Sequence, residues 1–145
     1  MSTTDFWTPC WACAVLAGER EGWVVFQNNE IAVLLNPFPL SDGHCLVVPR
    51  QHIPNIYELP NQLAGPILST AARVARIAKQ VFSADGITLR QNNDPASDQH
   101  LFHFHLHVIP RFDGDESRFN APARQVDHRN QEAIATGLRA ALAAS

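Results

Sequence analysis

The 145-residue chain has only three cysteines, which argues against a framework of several disulfides. No apolar run approaches the ~20 residues that cross a membrane, so we expect no membrane partner. With 11 basic and 14 acidic residues the net charge is −3. The chain has no block of basic residues, so we expect no nucleic-acid partner. The start, Met1 to Asp5, lacks the basic and apolar regions of a secretory signal, which predicts a cytoplasmic location.

Histidine is concentrated in one short segment of the chain. Three of the seven histidines occupy alternate positions of residues 103–107, with apolar residues between them. This alternation predicts a half-buried strand on which the three imidazoles share a face, while Phe104, Leu106 and Val108 pack beneath. Because each buried ring would need a hydrogen-bond partner, a purely structural role is disfavoured. The segment therefore predicts a functional site.

The remaining pattern predicts an α+β domain that spans residues 1–145, with a largely antiparallel sheet. Apolar runs between turn residues predict five strands: Gly22–Gln27, Ile31–Leu35, His44–Val48, Ile87–Gln91 and Leu101–Ile109. Apolar residues at helical spacing predict a long helix between the third and fourth strands and a C-terminal helix: Leu63–Phe82 and Asp127–Ala144.

The histidine segment is compatible with two kinds of chemistry. Same-face neighbours on a strand lie ~6.6 Å apart, so two rings could share a catalytic metal, whereas three would need a bulge. No carboxylate cluster accompanies them, and a metal-dependent hydrolase is the second interpretation. Alternatively, a neutral imidazole with a pKa near ~6.5 is a nucleophile once its other nitrogen is held. His105 has a histidine on either side, and we assign it the attack.

A second set of candidate residues lies near the start of the chain. Cys10 and Cys13 have the spacing of metal ligands, but a single pair supplies only half of a tetrahedral site. Taken alone, free or redox-active thiols explain the pair equally well. The third cysteine, Cys45, lies in a predicted strand and is expected to be a small core residue.

Two segments resemble the histidine triad (HIT) superfamily. Residues 103–109 are similar to its His-φ-His-φ-His-φ-φ motif, where φ is an apolar residue. Residues 43–52 resemble its Gly-His-x-Leu-Val-x-Pro-basic-x-His segment. The resemblance covers about residues 10–112. It implies a HIT-like fold, a homodimer, and nucleotide hydrolysis or nucleotidyl transfer through a covalent nucleotidyl-histidine.

The same resemblance implies roles for individual residues. His105 would attack the α-phosphorus of a small nucleotide substrate, such as a dinucleoside polyphosphate, while His107 and His44 position the ring and the phosphate. Substrate contacts are implied at the ribose, the base and the phosphate, by Asn36, by Leu34 and Leu35, and by Asn92, Gln99 and His107, respectively.

The resemblance also implies a metal site. Some family members, and the similar galactose-1-phosphate uridylyltransferases, complete a zinc site with two histidines at positions that match His52 and His103. With Cys10 and Cys13 these residues would form a closed Cys₂His₂ shell, which is typical of structural zinc. We therefore expect one zinc per chain.

One position departs from the family pattern. His100 follows Gln99 where many members have a serine or threonine, a candidate proton donor to the leaving group. An imidazole could carry a proton near neutral pH, so we expect His100 to assist the leaving group. An amine leaving group depends on protonation, whereas a polyphosphate is a weak base that depends mainly on charge stabilisation, so we expect dinucleoside polyphosphates to be the better substrates. A nucleotide-binding module without turnover is the remaining alternative.

Overall fold

The computed structural model describes residues 3–121 and 127–145. Two short helices open the chain, followed by a five-stranded sheet with one long helix inserted before the fourth strand. The strands are β1 (Val24–Gln27), β2 (Ile31–Leu35), β3 (Cys45–Pro49), β4 (Gly86–Arg90) and β5 (Leu106–Arg111). The helices are α1 (Thr3–Phe6), α2 (Trp11–Leu16), α3 (Asn61–Val81), α4 (Glu116–Phe119) and α5 (His128–Ala144).

The sheet has the order β1-β2-β3-β5-β4, and every neighbouring pair is antiparallel. The predicted α+β class, the five strands and the two long helices are thereby confirmed. Asp127, predicted as the first residue of the last helix, instead caps it: its carboxylate accepts hydrogen bonds from the backbone amides of Arg129 and Asn130. In the described part of the chain no helix is long and apolar enough for a bilayer crossing.

Each face of the sheet has its own apolar cluster. Helices α3 and α5 cover one face, where Val47 and Val108 pack against Val74 and Leu138. On the other face the N-terminal aromatic residues cover the sheet, and the Trp7 and Trp11 rings meet edge to face with centroids 5.2 Å apart. The long helices therefore leave the second face available for polar groups at its margin.

The fifth strand begins later than predicted. The pattern predicts a strand from Leu101, whereas β5 begins at Leu106. The backbone before it bonds to a loop instead of a strand, because the Phe104 amide donates to the Ile53 carbonyl. The predicted alternation of faces nevertheless holds, since Phe104, Leu106 and Val108 all pack in the cluster beneath α3.

Candidate active site

A cavity of ≈ 550 Å³ opens on the face of the sheet that the long helices leave uncovered. Part of its wall is apolar and is formed by Trp7, Phe38, Leu40 and Leu46. Polar side chains form much of the rest, and these include Asn36, His44, Arg90, Asn92, His105 and His107. A concave site with an apolar wall and a few convergent polar groups is typical of a small-molecule binding site.

His105 is held with one ring nitrogen available. Its Nδ1 lies 2.7 Å from the backbone carbonyl oxygen of His103. A carbonyl oxygen only accepts, so Nδ1 carries the hydrogen and Nε2 keeps its lone pair. Burial lowers the pKa of His105 below 6.5, and the hydrogen bond to His103 only partly opposes this effect. The ring is therefore neutral at pH 7 and chemically suited to act as a nucleophile.

His44 and His107 form a chain of hydrogen bonds with a defined direction. The Leu40 backbone amide donates to Nδ1 of His44 at 3.0 Å, so the hydrogen of a neutral His44 must lie on Nε2. That nitrogen lies 2.9 Å from Nδ1 of His107 and donates to it, which puts the hydrogen of His107 on its own Nε2. Burial lowers the pKa of His44 to about 3 and that of His107 well below 6.5. Two neutral rings thus present an N–H donor at the cavity.

Asn36 is fixed in place by backbone and side-chain contacts. Its amide oxygen accepts a hydrogen bond from the Phe38 backbone amide at 2.9 Å. Its Nδ2 lies 3.4 Å from Nε2 of His44. Both atoms carry hydrogens in the hydrogen-bond chain of His44 and His107, so this contact is not a hydrogen bond. The buried Gln131 of α5 donates to the Asn36 backbone carbonyl at 2.9 Å. Asn36 therefore lines the cavity with an uncommitted amide donor.

A second group of residues lies beside the cavity. One ligand atom from each of Cys10, Cys13, His52 and His103 lies within 4.8 Å of all the others. Nδ1 of His103 lies 3.5 Å from both sulfur atoms and 3.3 Å from Nδ1 of His52. Tetrahedral zinc, with Zn–S near 2.3 Å and Zn–N near 2.0–2.1 Å, requires S···N edges of about 3.6 Å and N···N edges of about 3.3 Å. The four residues fit a zinc ion.

The surroundings of these four residues agree with that fit. Nε2 of His103 donates to the Pro49 carbonyl oxygen at 2.7 Å, which leaves Nδ1 unprotonated for a metal. Burial, together with the Cys10 thiol, raises the pKa of Cys13 to about 11. A thiol in such a position needs a nearby cation to become a thiolate at neutral pH.

Three of the predicted substrate contacts do not line the cavity: Leu34, Leu35 and Gln99. Alternate residues of β2 point to opposite faces of the sheet. Leu35 therefore faces the core beneath α3, and Leu34 packs in the cluster that contains Trp7 and Trp11. The side-chain amide of Gln99 is bonded within the protein: its oxygen accepts from the Asp94 amide, and its nitrogen donates to the carbonyls of Pro54 and Leu101.

The other predicted contacts reach the cavity. Asn92 and His100 line it, and His100 is exposed to solvent. The cavity therefore brings together Asn36, His44, Asn92, His100, His105 and His107.

Arg90 and Phe119 are among the cavity residues that were not identified from the sequence. Arg90, the last residue of β4, lies directly opposite His107 in the sheet register and lines the cavity. Its guanidinium carbon lies 5.5 Å from the ring centroid of Phe119, which also lines the cavity. A charged residue at the end of the fourth strand was the available signal for Arg90. Phe119 lies in α4, a short helix without a periodic pattern.

Curated relatives are similar in sequence over most of the length of this chain. An uncharacterized HIT-like protein of Saccharolobus solfataricus is 36% identical over 107 residues, which are 73% of this chain and 76% of that protein. Adenylylsulfatase HINT3 of Arabidopsis thaliana is 29% identical over 106 residues, which are 73% of this chain and 54% of that protein.

Solved structures have the same fold. A hypothetical histidine triad nucleotide-binding protein from Sulfolobus tokodaii superposes with a TM-score of 0.84 at 28% identity, covering 93% of both chains. A Zn-bound histidine triad family protein from Mycobacterium smegmatis gives a TM-score of 0.81 at 31% identity, covering 94% of both chains. The sequence pattern of the HIT domain matches residues 17–114. The chain therefore belongs to the HIT family.

Proposed function

We propose that this protein is a nucleotide hydrolase or nucleotidyl transferase that works through a covalent nucleotidyl-His105 intermediate. The observation that carries the proposal is the state of His105: a buried, neutral ring whose Nδ1 is bonded to the His103 carbonyl and whose Nε2 keeps its lone pair. Pure binding would not need a nucleophile prepared in this way.

The proposed reaction has two steps. Nε2 of His105 forms a bond to the α-phosphorus, and the bond from phosphorus to the leaving group breaks with its electron pair going to the leaving atom. Water then attacks the same phosphorus, releases His105 and gives a nucleoside monophosphate, while one proton of the water passes to the leaving group or to solvent. The N–H of His107 stabilises the charge on the phosphoryl oxygens, and His44 fixes the tautomer of His107.

For the substrate we propose a dinucleoside polyphosphate or a related nucleotide. Asn36 offers an amide donor for the ribose, and Asn92 offers an amide for the phosphate, since both line the cavity. The apolar wall formed by Trp7, Phe38 and Leu46 suits a base. His100 stays our proposed assistant at the leaving group. Two relatives, an adenylylsulfatase and a histidine triad nucleotide-binding protein, support this class of ligand.

We further propose that Cys10, Cys13, His52 and His103 hold one structural zinc per chain. When bound, the ion supplies a closed, rigid crosslink between α2, the loop after β3 and the histidine segment. The tetrahedral distances among the four ligand atoms support this, and so does the Zn-bound relative from Mycobacterium smegmatis. Thiols kept for a metal are typical of a reducing compartment, which supports a cytoplasmic location.

The test of the proposed function is a substrate panel with His105→Ala. Wild-type protein is incubated with diadenosine polyphosphates, adenosine phosphoramidate and adenosine 5′-phosphosulfate, and released AMP is measured. We expect turnover of at least one compound, and a loss of several orders of magnitude in His105→Ala with AMP binding retained.

Mass spectrometry of rapidly denatured wild-type protein should then detect an adenylyl group on His105. Binding of nucleotides without any product would instead favour a binding module. Near wild-type turnover in His105→Ala would refute the covalent mechanism. Turnover that disappears with a chelator, without any covalent intermediate, would favour a metal-dependent hydrolase.

A further inference from the structure

The polar groups of the cavity follow the order of the strands across the sheet. Asn36 follows β2, His44 precedes β3, His107 lies on β5, and Arg90 ends β4 at the edge of the sheet. The histidines therefore lie between Asn36 on one side and Arg90 on the other. A substrate whose nucleoside lies towards Asn36, with its α-phosphorus at His105, extends its remaining part towards Arg90.

The positive charge of Arg90 is not neutralised by the protein around it. Within residues 3–121 and 127–145, Arg90 makes neither an ion pair nor a side-chain hydrogen bond, and its buried Nε lacks a partner. Arg111 contacts the same Phe119 ring, but the Asp115 carboxylate binds it through two hydrogen bonds of 2.9 and 2.7 Å. A half-buried guanidinium without an anion is costly unless a ligand supplies one.

The field of Arg90 also reaches the site. After burial, the Arg90 charge is the next cause that lowers the pKa of His44. Asp98 and His100 line the cavity as well, but both side chains are exposed to solvent, which screens the charge of the Asp98 carboxylate. Among the residues that the structure describes, the strongest unpaired charge on this side of the cavity is therefore positive.

We propose that Arg90 selects substrates whose leaving group is an oxyanion, such as phosphate, sulfate or a polyphosphate tail. This inference rests on the proposed function of the same cavity. When the bond from phosphorus to the bridging oxygen breaks, the electron pair goes to that oxygen, and the leaving group gains one negative charge. A fixed guanidinium stabilises that charge without moving a proton. An amine leaving group needs a proton, which an always-protonated arginine does not supply.

The kinetic test compares two substrates that share the adenylyl group. Adenosine 5′-phosphosulfate releases sulfate, and adenosine 5′-phosphoramidate releases ammonia, so the ratio of their kcat/KM values isolates the leaving group. We expect Arg90→Met to lower the ratio of kcat/KM for the phosphosulfate to kcat/KM for the phosphoramidate by about 10²-fold, and Arg90→Lys to lower it by less. Arg76→Met, an exposed change on α3, is the control and should leave the ratio unchanged. An equal loss on both substrates, or no loss on either, would overturn the proposal.

A binding test separates this proposal from the proposed function. Calorimetry gives the Kd of ADP and of AMP for wild-type protein and for Arg90→Met, and it needs no turnover. We expect the preference for ADP over AMP to fall by about 10-fold or more in Arg90→Met, because a charge-assisted contact to the distal phosphate is lost. An unchanged preference, in protein whose thermal unfolding matches wild type, refutes the role of Arg90. Absence of turnover in wild type refutes the proposed reaction alone.

Discussion

Removal of one ligand from the Cys₂His₂ group should remove the proposed zinc and much of the stability of the fold. Cys13→Ser is the informative change, because the Cys13 sulfur lies 3.3 Å from Nδ1 of His52 and 3.5 Å from Nδ1 of His103. Both distances are within about 0.3 Å of the S···N edge of a tetrahedral zinc site. A hydroxyl at this position is a poor zinc ligand, so three ligands remain and the closed shell is lost.

The size of the effect follows from linkage between binding and folding. Structural zinc sites bind with apparent free energies of about 10–16 kcal/mol, which includes Kd values near 1 nM. With Kd of about 1 nM and about 10 μM free zinc, the folded state gains about 5.5 kcal/mol. For a domain of this length about 1 kcal/mol shifts the Tm by 2–4 °C, so loss of zinc should lower the Tm by about 10–20 °C.

Metal analysis and thermal unfolding measure this directly, on protein purified without an affinity tag. Wild type should carry about one zinc per chain, and Cys13→Ser should carry almost none and unfold at a lower temperature. Cys45→Ala is the control for thiol loss, because the buried Cys45 packs in the core away from the metal ligands. Metal-free wild-type protein that has full activity and the same Tm as wild-type protein with zinc would refute the reasoning.

Three further predictions concern the site and the assembly. Burial lowers the pKa of His105 below 6.5, so kcat/KM should hold as pH falls to 6.5 and drop only below it; a pH–rate profile whose acid limb lies above 6.5 would contradict this. Gly43→Ala should lower the free energy of unfolding, measured in urea, by about 2–4 kcal/mol, because φ of Gly43 is +86° and a Cβ would lie 2.2 Å from the Phe82 ring. Gly65→Ala is the control, because its Cβ would meet open space in α3. Light scattering should give about twice the 16.1 kDa chain mass, since pairing of exposed sheet edges favours a homodimer; a mass of one chain excludes it.

Local sequence patterns predicted the elements because each has a strong period of its own. Residues 63, 67, 71, 74 and 78 form the buried stripe of α3, and the alternation of residues 104, 106 and 108 places the histidines on the opposite face. The start of β5 was predicted too early because the Phe104 amide, inside the predicted strand, donates to the Ile53 carbonyl in the loop after β3 and not to a neighbouring strand. No local pattern reports a partner about 50 residues away.

The site was predicted less evenly than the fold. The spacing of Cys10 and Cys13 indicates half a metal site, and only the family resemblance supplied His52 and His103, which are far apart along the chain. Arg90 and Gln131 were missed because their roles depend on how β4 and α5 pack. Gln131 did leave a signal: it is a polar residue in the buried stripe that Ala135, Leu138 and Leu142 continue.

His103 connects the proposed metal site to the proposed nucleophile through three atoms of one residue. Nδ1 lies among the zinc ligand atoms, Nε2 donates to the Pro49 carbonyl, and the backbone oxygen accepts from Nδ1 of His105. A zinc ion bound at Nδ1 would therefore restrain the carbonyl that sets the tautomer of His105. Because that carbonyl is backbone, a side-chain change at His103 leaves the acceptor in place and removes only its restraint. The metal would act as a structural ion whose loss misplaces the nucleophile without changing its chemical identity.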